Sequence, residues 1–399
     1  MIQPNRSSAT AALPAPVSLL PSIAIYVHIP WCASLCPYCD FDKQAHDFGL
    51  IDRYVDAVIQ HVRTTHERTA HSLYFGGGTP SLLTVPRLAR LIEGCRERFN
   101  LPVDAEISAE ANPSDVVAHK IEGYLRAGIT RLSLGVQSLD DDELRLLCRR
   151  HTADKARRAV AAARDAGCTD LSVDCMYGLP GQSAESVGRT IEGLVALNPD
   201  HVSCYALTLD ATTPMGAAQV AGTLTLPDDD AVADQYAALQ DALGRAGFLQ
   251  YELSNWARPG HASIHNLTYW RNGEYVGLGA GASGSFMGLR YKRTPDIVAY
   301  IAAAAAGQPG YVASEHWSAA RMMRDTVMLG LRLKEGISAG EFERRFGAPL
   351  TSYCTNRLAD LVTAGVLQWH GDRVSLDPHS YLVCNAVLVE ILPARPAEA

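Results

Sequence analysis

Three cysteines close together give this chain its clearest potential for chemistry. They are Cys32, Cys36 and Cys39, in the stretch Y-V-H-I-P-W-C-A-S-L-C-P-Y-C-D-F. Three thiolates can hold a metal ion or a cluster and leave one coordination position open, as a reactive or ligand-binding centre requires. The other seven cysteines are scattered singly, which argues against chance clustering. Spacing alone also allows a zinc site completed by His28 or His46, or three unrelated core cysteines.

A histidine beside flat aromatic side chains forms a second group with chemical potential. His265 is followed by Tyr269 and Trp270 in the string H-N-L-T-Y-W. Imidazole is a common axial ligand of heme iron, so this string is compatible with heme binding. An isolated histidine is more often a hydrogen-bonded core or turn residue, and the heme interpretation therefore depends on the neighbours. His261 is a nearby competitor for the same role.

Alternating strand-like and helix-like segments must position these groups. The strand-like runs are 23–30, 72–77, 106–111, 131–137, 170–176 and 201–207. The amphipathic stretches between them lie near 51–67, 86–99, 115–127, 154–166 and 183–197. This alternation predicts βαβ units and a parallel sheet, with Gly128, Gly167 and Asn198 where three of the helices should stop. Periodicity alone leaves open an open doubly wound sheet and a partial (βα)6 barrel.

The unusual residues follow these strands at their carboxyl ends. The cysteines follow the first strand, G-G-G-T-P (76–80) follows the second, and E-A-N-P (110–113) ends the third. G-V-Q-S (135–138) ends the fourth strand, and Asp174 with G-L-P-G-Q (178–182) ends the fifth. Parallel strands bring their carboxyl ends to one rim, where α/β proteins bind ligands. The sequence therefore predicts that this rim is the active site.

These motifs carry a resemblance to a known family. C-x-x-x-C-x-x-C after a strand is the signature of the radical S-adenosylmethionine (SAM) superfamily. The surrounding Tyr26, His28, Pro30 and the C-D-F ending resemble its heme chaperone HemW branch, and the resemblance runs from about residue 23 to near residue 392. It implies an α/β fold with a partial (βα)6 radical SAM barrel. It also implies that the three cysteines bind a [4Fe-4S] cluster whose fourth iron is chelated by SAM.

The resemblance also implies roles for individual residues of the rim. The positions that resemble the family's SAM pocket are Tyr26, Gly77, Gly78, Thr79, Glu110, Gln137, Arg149 and Asp174, with Tyr205 and Thr208 as weaker matches. Consecutive glycines let the backbone approach a ligand where a Cβ would clash. SAM carries an ammonium, a carboxylate, a sulfonium and a ribose, so acidic, basic and amide partners are expected. The H-N-L-T-Y-W string matches the branch's motif, in which the residue equivalent to His265 is implicated in heme binding.

The HemW branch implies a carrier that binds heme and passes it to an acceptor protein. The alternative is an oxygen-independent coproporphyrinogen III oxidase, which performs a radical SAM oxidative decarboxylation in porphyrin biosynthesis. The oxidase branch has a fourth cysteine where this chain has Phe41, and a substrate-covering extension where this chain has a low-complexity leader. Both differences favour the carrier. Cleavage of SAM would require an electron donor such as flavodoxin or ferredoxin, and radical modification of RNA is a third, weaker option.

Composition excludes several other classes of protein. The 399 residues include 35 Lys and Arg against 43 Asp and Glu, a net charge of −8, so no global basic field exists for nucleic acid. No apolar run approaches the roughly 18 residues that a membrane-spanning helix needs. Ten cysteines without a signal peptide favour the reducing cytoplasm. We therefore expect a cytoplasmic protein with no membrane span and no nucleic-acid partner.

The chain beyond the sixth strand predicts an extension and a second domain. The predicted segments are a disordered leader 1–22, the barrel 23–225, an extension 226–311 with the H-N-x-x-Y-W motif, a winged-helix-like α+β domain 312–392 and a disordered tail 393–399. The last domain is predicted from helical patterns at 318–333, 338–346, 350–364 and 379–391 and short strands at 366–369 and 373–376. Because it lacks a basic recognition helix, packing or partner docking is favoured over DNA binding.

One glycine motif resembles a dinucleotide fingerprint and is rejected. Gly279, Gly281 and Gly284 have the G-x-G-x-x-G spacing, but the following S-F-M-G-L-R-Y-K-R does not open a helix. These glycines are predicted to let a strand pass close to the cluster or the substrate.

Overall fold

A computed structural model of the protein describes residues 22–47 and 49–393. The predicted leader, apart from Ser22, and the predicted tail, apart from Pro393, lie outside the described residues. No helix in the described part of the chain is both long and apolar enough to cross a membrane.

The secondary structure alternates between strands and helices along most of the chain. Within the described residues the strands are β1 (Ile23–Ile29), β2 (Trp31–Cys32), β3 (Gln44–Ala45), β4 (Ala70–Gly77), β5 (Glu106–Ala111), β6 (Arg131–Gln137), β7 (Leu171–Tyr177), β8 (His201–Ala206), β9 (Leu249–Glu252), β10 (Asn255–Ala257), β11 (Tyr275–Leu278), β12 (Ser283–Phe286), β13 (Leu289–Arg293), β14 (Tyr311–His316), β15 (Ile337–Ser338), β16 (Leu367–His370) and β17 (Arg373–Leu376). The helices are α1 (Ile51–Thr64), α2 (Val85–Phe99), α3 (Ala118–Ala127), α4 (Asp141–Leu146), α5 (Ala153–Asp165), α6 (Ala184–Ala196), α7 (Pro214–Val220), α8 (Asp229–Arg245), α9 (Ile264–Trp270), α10 (Ile297–Ala305), α11 (Ala319–Gly330), α12 (Ala339–Phe346), α13 (Leu350–Tyr353), α14 (Arg357–Thr363) and α15 (Cys384–Ile391). Short 3-10 turns occupy Pro80–Leu82, Pro113–Asp115 and Pro378–Val383.

The main sheet has the strand order β14-β13-β12-β11-β1-β4-β5-β6-β7-β8-β10-β9. From β1 to β8 the paired strands are parallel and follow the chain without reversal. A doubly wound sheet would reverse its order at a switch point. The arrangement therefore confirms the predicted α/β fold of the partial-barrel type and eliminates the open alternative.

The parallel strands are buried because helices cover them. In β1 every residue except Tyr26 is buried, as expected for a strand of a parallel sheet. The helices end where the sequence predicts, since Gly128, Gly167 and Asn198 have φ values of 111°, 94° and 51°. Positive φ at a helix end is most easily adopted by glycine and asparagine. These stops return the chain to the sheet and so fix the rim at which the strand ends meet.

The glycine-rich segment forms part of the main sheet. β11 pairs in parallel with β1 on the side away from β4, and β12, β13 and β14 continue the sheet in antiparallel order. A Cβ on Gly277 would lie 1.9 Å from the Ser283 carbonyl oxygen, and one on Gly279 would lie 2.6 Å from the His28 carbonyl oxygen. The rejected dinucleotide motif opens no helix, and Gly279 permits close approach to β1; that these glycines bring a strand close to the cluster or the substrate stays a prediction.

The carboxyl-terminal region has the winged-helix order of elements. Helices α11, α12 and α14 pack with a three-stranded sheet of order β15-β17-β16. The sequence predicted β16 and β17 but missed the two-residue strand β15, and its single helix at 350–364 is interrupted between α13 and α14. On α14 the exposed Arg357 pairs with Asp360 and Glu390, so this helix does not present a free basic face. The division of the chain into domains stays a prediction.

Candidate functional site

A cavity of about 370 Å³ extends from the carboxyl ends of the barrel strands toward their amino ends, where Arg131, Ser172 and His201 line it, and is called the rim cavity here. The predicted residues that line it are Cys32, Cys36, Cys39, Gly77, Gly78, Thr79, Glu110, Gln137, Arg149 and Asp174. Tyr205, a weaker match, also lines it, whereas Thr208 is exposed and does not. Residues from six loops and strands therefore converge as the rim argument predicts.

The three cysteines carry free thiols on a loop whose two ends are joined by a short pair of strands. β2 and β3 pair in parallel, so that Cys32 lies opposite Ala45. Thr79 Oγ1 donates to Cys32 Sγ at 3.5 Å, and Arg149 Nη1 donates to Cys36 Sγ at 3.5 Å. Burial raises the pKa of the Cys32 thiol. A guanidinium and a hydroxyl thus point at sulfur atoms that must be deprotonated to bind iron.

The spread of the sulfur atoms bears on the zinc alternative. A single tetrahedral zinc ion has Zn–S distances of about 2.3 Å, so its sulfur ligands lie within about 4 Å of each other. Among the described residues, the cysteine sulfurs do not all lie within 4.8 Å of one another. His28 is also engaged, because Nδ1 is 3.0 Å from Tyr26 Oη and Nε2 is 2.7 Å from the Asp42 carbonyl oxygen. In this structure His28 is therefore not free to complete a single-ion site with the three cysteines.

The glycine loop after β4 packs against the beginning of the cysteine loop. A Cβ on Gly78 would lie 2.6 Å from the Trp31 carbonyl oxygen and 2.8 Å from that of Ile29. Gly77 has a φ of 110°, and its Cβ would lie 2.5 Å from the His28 ring. Both positions therefore require glycine, and the loop brings its backbone into the cavity beside the cysteines.

Two carboxyl groups that are largely, but not completely, buried face the rim cavity without a strong ion pair. Glu110 accepts hydrogen bonds from Tyr74 Oη at 2.9 Å and from Gly77 N at 3.2 Å, and burial raises its pKa to about 7. Asp174 accepts from Ser133 Oγ at 2.9 Å, and burial raises its pKa to about 6. Carboxyl groups with raised pKa values in a cleft are typical of functional sites. A cationic ligand would lower both pKa values.

An irregularity at the end of β6 turns an amide into the cavity. The register of β6 on β7 shifts between Leu134 and Gln137, and Gln137 has a φ of 71°. Such strained positions cluster at ligand sites. Tyr205 Oη donates to Gln137 Oε1 at 2.7 Å, and Arg149 Nη2 donates to the Gly135 carbonyl oxygen at 2.7 Å. Arg149 Nε is buried without a hydrogen-bond partner among the described residues, so it remains available to a ligand.

A second cavity of about 580 Å³ adjoins the rim cavity and is called the side cavity here. Gly77 and Glu110 line both cavities and so form a shared wall, and Phe41 also reaches both. Tyr26 lines the side cavity, although the sequence grouped it with the SAM residues. Its ring lies 6.3 Å from that of Tyr74, whose hydroxyl contacts Glu110. Tyr26 therefore lies on the side-cavity side of the shared wall, next to Tyr74.

His265 lies on α9 in a fully hydrogen-bonded position. Its Nδ1 is 3.0 Å from Ser72 Oγ, its Nε2 is 2.8 Å from Tyr269 Oη, and its ring stacks on Tyr74 at 5.0 Å. Burial lowers the pKa of His265 to about 3, so the ring is neutral. Tyr269 lines the side cavity, and Asn266 on the same helix lines the rim cavity. The histidine thus lies behind both cavities and lines neither.

His261 lies elsewhere in the barrel. Its Nδ1 is 3.4 Å from Asp170 Oδ1, and its carbonyl oxygen accepts from Arg131 Nη1 at 2.9 Å. Asp170 directly precedes β7, so His261 is at the amino ends of the strands, opposite the cysteines. The competitor for the heme role is therefore separated from the rim.

Sequence reasoning missed two polar contributors to the site. Lys43 lines the rim cavity and donates from Nζ to the Cys39 carbonyl oxygen. Tyr74 lines the cavity, hydrogen-bonds Glu110 and stacks on His265. The position of Lys43 in the cysteine loop was an available signal. Tyr74 offered only the period-two alternation of a strand, which does not distinguish a ligand-facing ring from a core ring.

Comparison with known proteins agrees with this geometry. The model of the Radical SAM superfamily matches residues 26–194, and that of the HemN C-terminal domain matches residues 318–383. The heme chaperone HemW of Lactococcus lactis is 34% identical over 92% of this chain and 96% of its own length. This chain belongs to the HemW family of the radical SAM superfamily. HemW of Escherichia coli is 41% identical over 66% of this chain and 70% of that protein.

A solved structure shares the fold of this HemW-family chain. Coproporphyrinogen III oxidase (HemN) of Escherichia coli superposes with a TM-score of 0.79, at 23% identity over 92% of this chain and 89% of that one. Identity this low supports the shared fold alone. Membership in the superfamily implies a [4Fe-4S] cluster and SAM as cofactors. The free cysteines, the unpartnered Arg149 Nε and the glycine-lined backbone fit both groups.

Proposed function

We propose that this protein is a heme chaperone that holds a SAM-coordinated [4Fe-4S] cluster and transfers heme to an acceptor protein. The main support is the convergence of three free cysteines, a glycine backbone and two protonatable carboxyl groups on one cavity that shares a wall with a second, aromatic cavity. We infer that the cargo is heme because relatives of this chain are heme chaperones. In this proposal the rim cavity holds the cofactors and heme binds beside it.

The cysteine loop is proposed to hold the cluster. Cys32, Cys36 and Cys39 would each bind one iron as thiolates, and the fourth iron is left to SAM. Arg149 and Lys43 place positive charge beside the thiolates and so favour their deprotonation. When bound and reduced by one electron, from a donor such as flavodoxin or ferredoxin, this cofactor pair can supply radical chemistry.

The remaining rim residues are proposed to bind SAM. Gly77, Gly78 and Thr79 would contact its methionyl end through backbone and hydroxyl groups. Glu110 and Asp174 would balance its positive charges, because both are held in a buried site where a cation favours their ionised forms. Charge and amide partners for its carboxylate and ribose are supplied by Arg149 and Gln137, with Tyr26 supporting the shared wall.

Heme is proposed to bind with His265 as an iron ligand. Because both ring nitrogens of His265 are hydrogen-bonded, ligation requires that Nε2 exchange Tyr269 Oη for iron. The low pKa favours this exchange, since a neutral imidazole is the ligating form. A Tyr269→Phe substitution separates the roles: it frees His265 and should preserve or strengthen heme binding. A loss of binding in this variant would instead identify Tyr269 as the ligand.

A specific residue weighs against the oxidase alternative. Phe41 stands where the oxidase branch has a fourth cysteine, and its side chain is 62% exposed where it reaches both cavities. A phenyl ring adds an apolar surface and no metal ligand at this point. We therefore propose a carrier rather than an oxidative decarboxylase, and we place it in the cytoplasm with heme and its acceptor as partners.

The proposal is tested by anaerobic spectroscopy on protein reconstituted with iron and sulfide. Added heme should give a saturable absorption change and should move to an acceptor, and His265→Ala should weaken this binding while keeping the cluster bands. His370→Ala, at an exposed position on β16, is the matched control. Incubation with SAM, reductant and coproporphyrinogen III should yield no protoporphyrinogen IX at useful turnover. Such turnover, or failure to bind heme, would overturn the chaperone.

A further inference from the structure

The side cavity has the size of a small-molecule site, and none of the three cysteines predicted to bind the cluster is among its lining residues. Its volume of about 580 Å³ exceeds that of the rim cavity and lies in the usual range for ligand pockets. Four aromatic side chains line it: Tyr26, Phe41, Tyr269 and Tyr275. Such walls bind flat, apolar rings by stacking and edge contacts. Tyr26, Gly77 and Glu110, which are assigned to SAM, form part of the lining, and the SAM and cluster assignments give the rest of the cavity no role.

Two cations are placed side by side on one wall of the side cavity. Arg290 and Lys292 are two residues apart on β13 and so point to the same face of the sheet. Their cross-strand partners on β12, Ser285 and Ser283, line the same cavity. β13 and β12 therefore present two positive charges and two hydroxyls to one side of a cavity that is also lined by aromatic rings and by Asp40, Asp42 and Glu110.

Each cation is held by a neighbouring acid and still has donors to spare. Arg290 Nη1 lies 2.7 Å from Asp325 Oδ2, and Lys292 Nζ lies 2.8 Å from Asp42 Oδ2. These contacts use a fraction of the five N–H donors of a guanidinium and the three of an ammonium. Both side chains are partly exposed, at 26% and 45%, so a ligand can reach them. The two carboxylates therefore position the cations and leave N–H donors free for a ligand.

We propose that the side cavity is the heme site, with the two heme carboxylates bound by Arg290 and Lys292. This proposal rests on the chaperone function and adds the site and the groups that recognise the cargo. The two carboxylates leave a heme from one edge, as the two cations leave β13 from one face. The porphyrin then lies against the aromatic walls, and Phe41 gains a partner for its exposed ring. Tyr269 also lines this cavity, and its hydroxyl is hydrogen-bonded to His265.

The test compares ferric heme with its dimethyl ester, in which both carboxylates are neutral. Wild-type protein, reconstituted anaerobically, should bind heme about tenfold or more tightly than the ester, since hydrogen bonds to charged groups are among the stronger ones. The double variant Arg290→Gln/Lys292→Gln should lose this preference to within about twofold, by weakening heme and sparing the ester. Lys155→Gln/Arg157→Gln, an exposed pair with the same spacing on α5, should keep it.

The outcomes separate this proposal from the chaperone function. Wild-type protein that binds no heme refutes the chaperone. Wild-type protein that binds heme and ester equally, or a double variant that keeps the preference, refutes only the site. Cluster absorption and SAM affinity are measured on every variant, so that misfolding is detected separately.

Metal-free protoporphyrin IX provides a second readout for the same cavity. Because it has the ring and the carboxylates but no iron, its binding should depend on Arg290 and Lys292 and should be unchanged by His265→Ala. Quenching of protoporphyrin fluorescence measures its binding to the wild-type protein, to the double variant and to His265→Ala. Dependence on His265 with indifference to the two cations would place the ring elsewhere.

Discussion

The ionisation of Glu110 should make SAM binding depend on pH in the physiological range. In the protein without ligand, burial holds the Glu110 pKa at about 7, so this carboxyl is partly protonated near neutrality. A cation of SAM placed against it favours the carboxylate and lowers its pKa. Binding must then release a proton, and SAM affinity must rise as the pH rises toward and through 7.

The size of the effect follows from the ionised fraction. With a pKa of about 7, Glu110 is roughly three-quarters ionised at pH 7.5 and roughly one-tenth ionised at pH 6, so affinity should fall about eightfold across this window. Asp174, whose pKa is about 6, adds at most about another twofold. An α-amino group with the usual pKa of about 7.7–8.0 becomes about a quarter to two-fifths neutral by pH 7.5, which reduces the expected rise in affinity by at most about 1.6-fold.

The assay is calorimetry on the reconstituted protein under anaerobic conditions, in two buffers with different ionisation enthalpies. At pH 7 the two buffers should differ by the heat of about half a proton released per SAM bound. Glu110→Gln removes the titrating group and should bind SAM with at most the twofold pH dependence of Asp174. The reasoning is refuted if wild-type affinity varies less than twofold across the window, or if Glu110→Gln keeps the eightfold change.

Three further predictions concern the cluster, the glycine loop and the core. Cys36→Ala should abolish the visible absorption of the cluster, whereas Cys148→Ser, at an exposed thiol, should keep it. Gly78→Ala should weaken SAM binding at least about tenfold because its Cβ meets backbone oxygens, whereas Gly94→Ala, whose nearest contact is 3.9 Å away, should leave SAM binding intact and stabilise helix α2 by up to about 1 kcal/mol. Glu252 is fully buried, and its pKa is raised to about 7. Its contribution to stability is therefore present at low pH and lost as the pH rises through 7. Glu252→Gln should flatten the pH dependence of the unfolding free energy, measured in urea, by up to about 3 kcal/mol.

The barrel and most of the rim were predictable because local signals mark both. Glycines, acids and amides recur at the strand ends, and helix stops at Gly128 and Gly167 mark where the chain returns to the sheet. Parallel pairing then requires the ends to meet. Thus Glu110 and Asp174 could be assigned to one cavity although 64 positions separate them.

The side cavity could not be predicted because nonlocal contacts create it. β11 contains Gly277, and Gly279 follows it directly; glycine is unfavourable in strands, but here the missing Cβ atoms permit close approach to Ser283 on β12 and to His28 on β1. Helix α9 has a local N-cap in Ser263, but its Ile264 and His265 amides also donate to Glu106 across more than 150 positions. No local pattern encodes such a contact.

Nonlocal contacts also explain why the sequence indicated a heme role for His265 but not the hydrogen bonds that its ring makes. The string H-N-L-T-Y-W shows an imidazole beside aromatic rings, but it does not show that Ser72, from a strand 193 positions earlier, occupies one ring nitrogen. Nor does it show that Tyr269, one helical turn later, occupies the other and separates the ring from the side cavity. Under the proposed ligation, Tyr269 must move before iron can reach His265. The proposed heme binding therefore requires loss of the Tyr269–His265 hydrogen bond, which Tyr269→Phe removes.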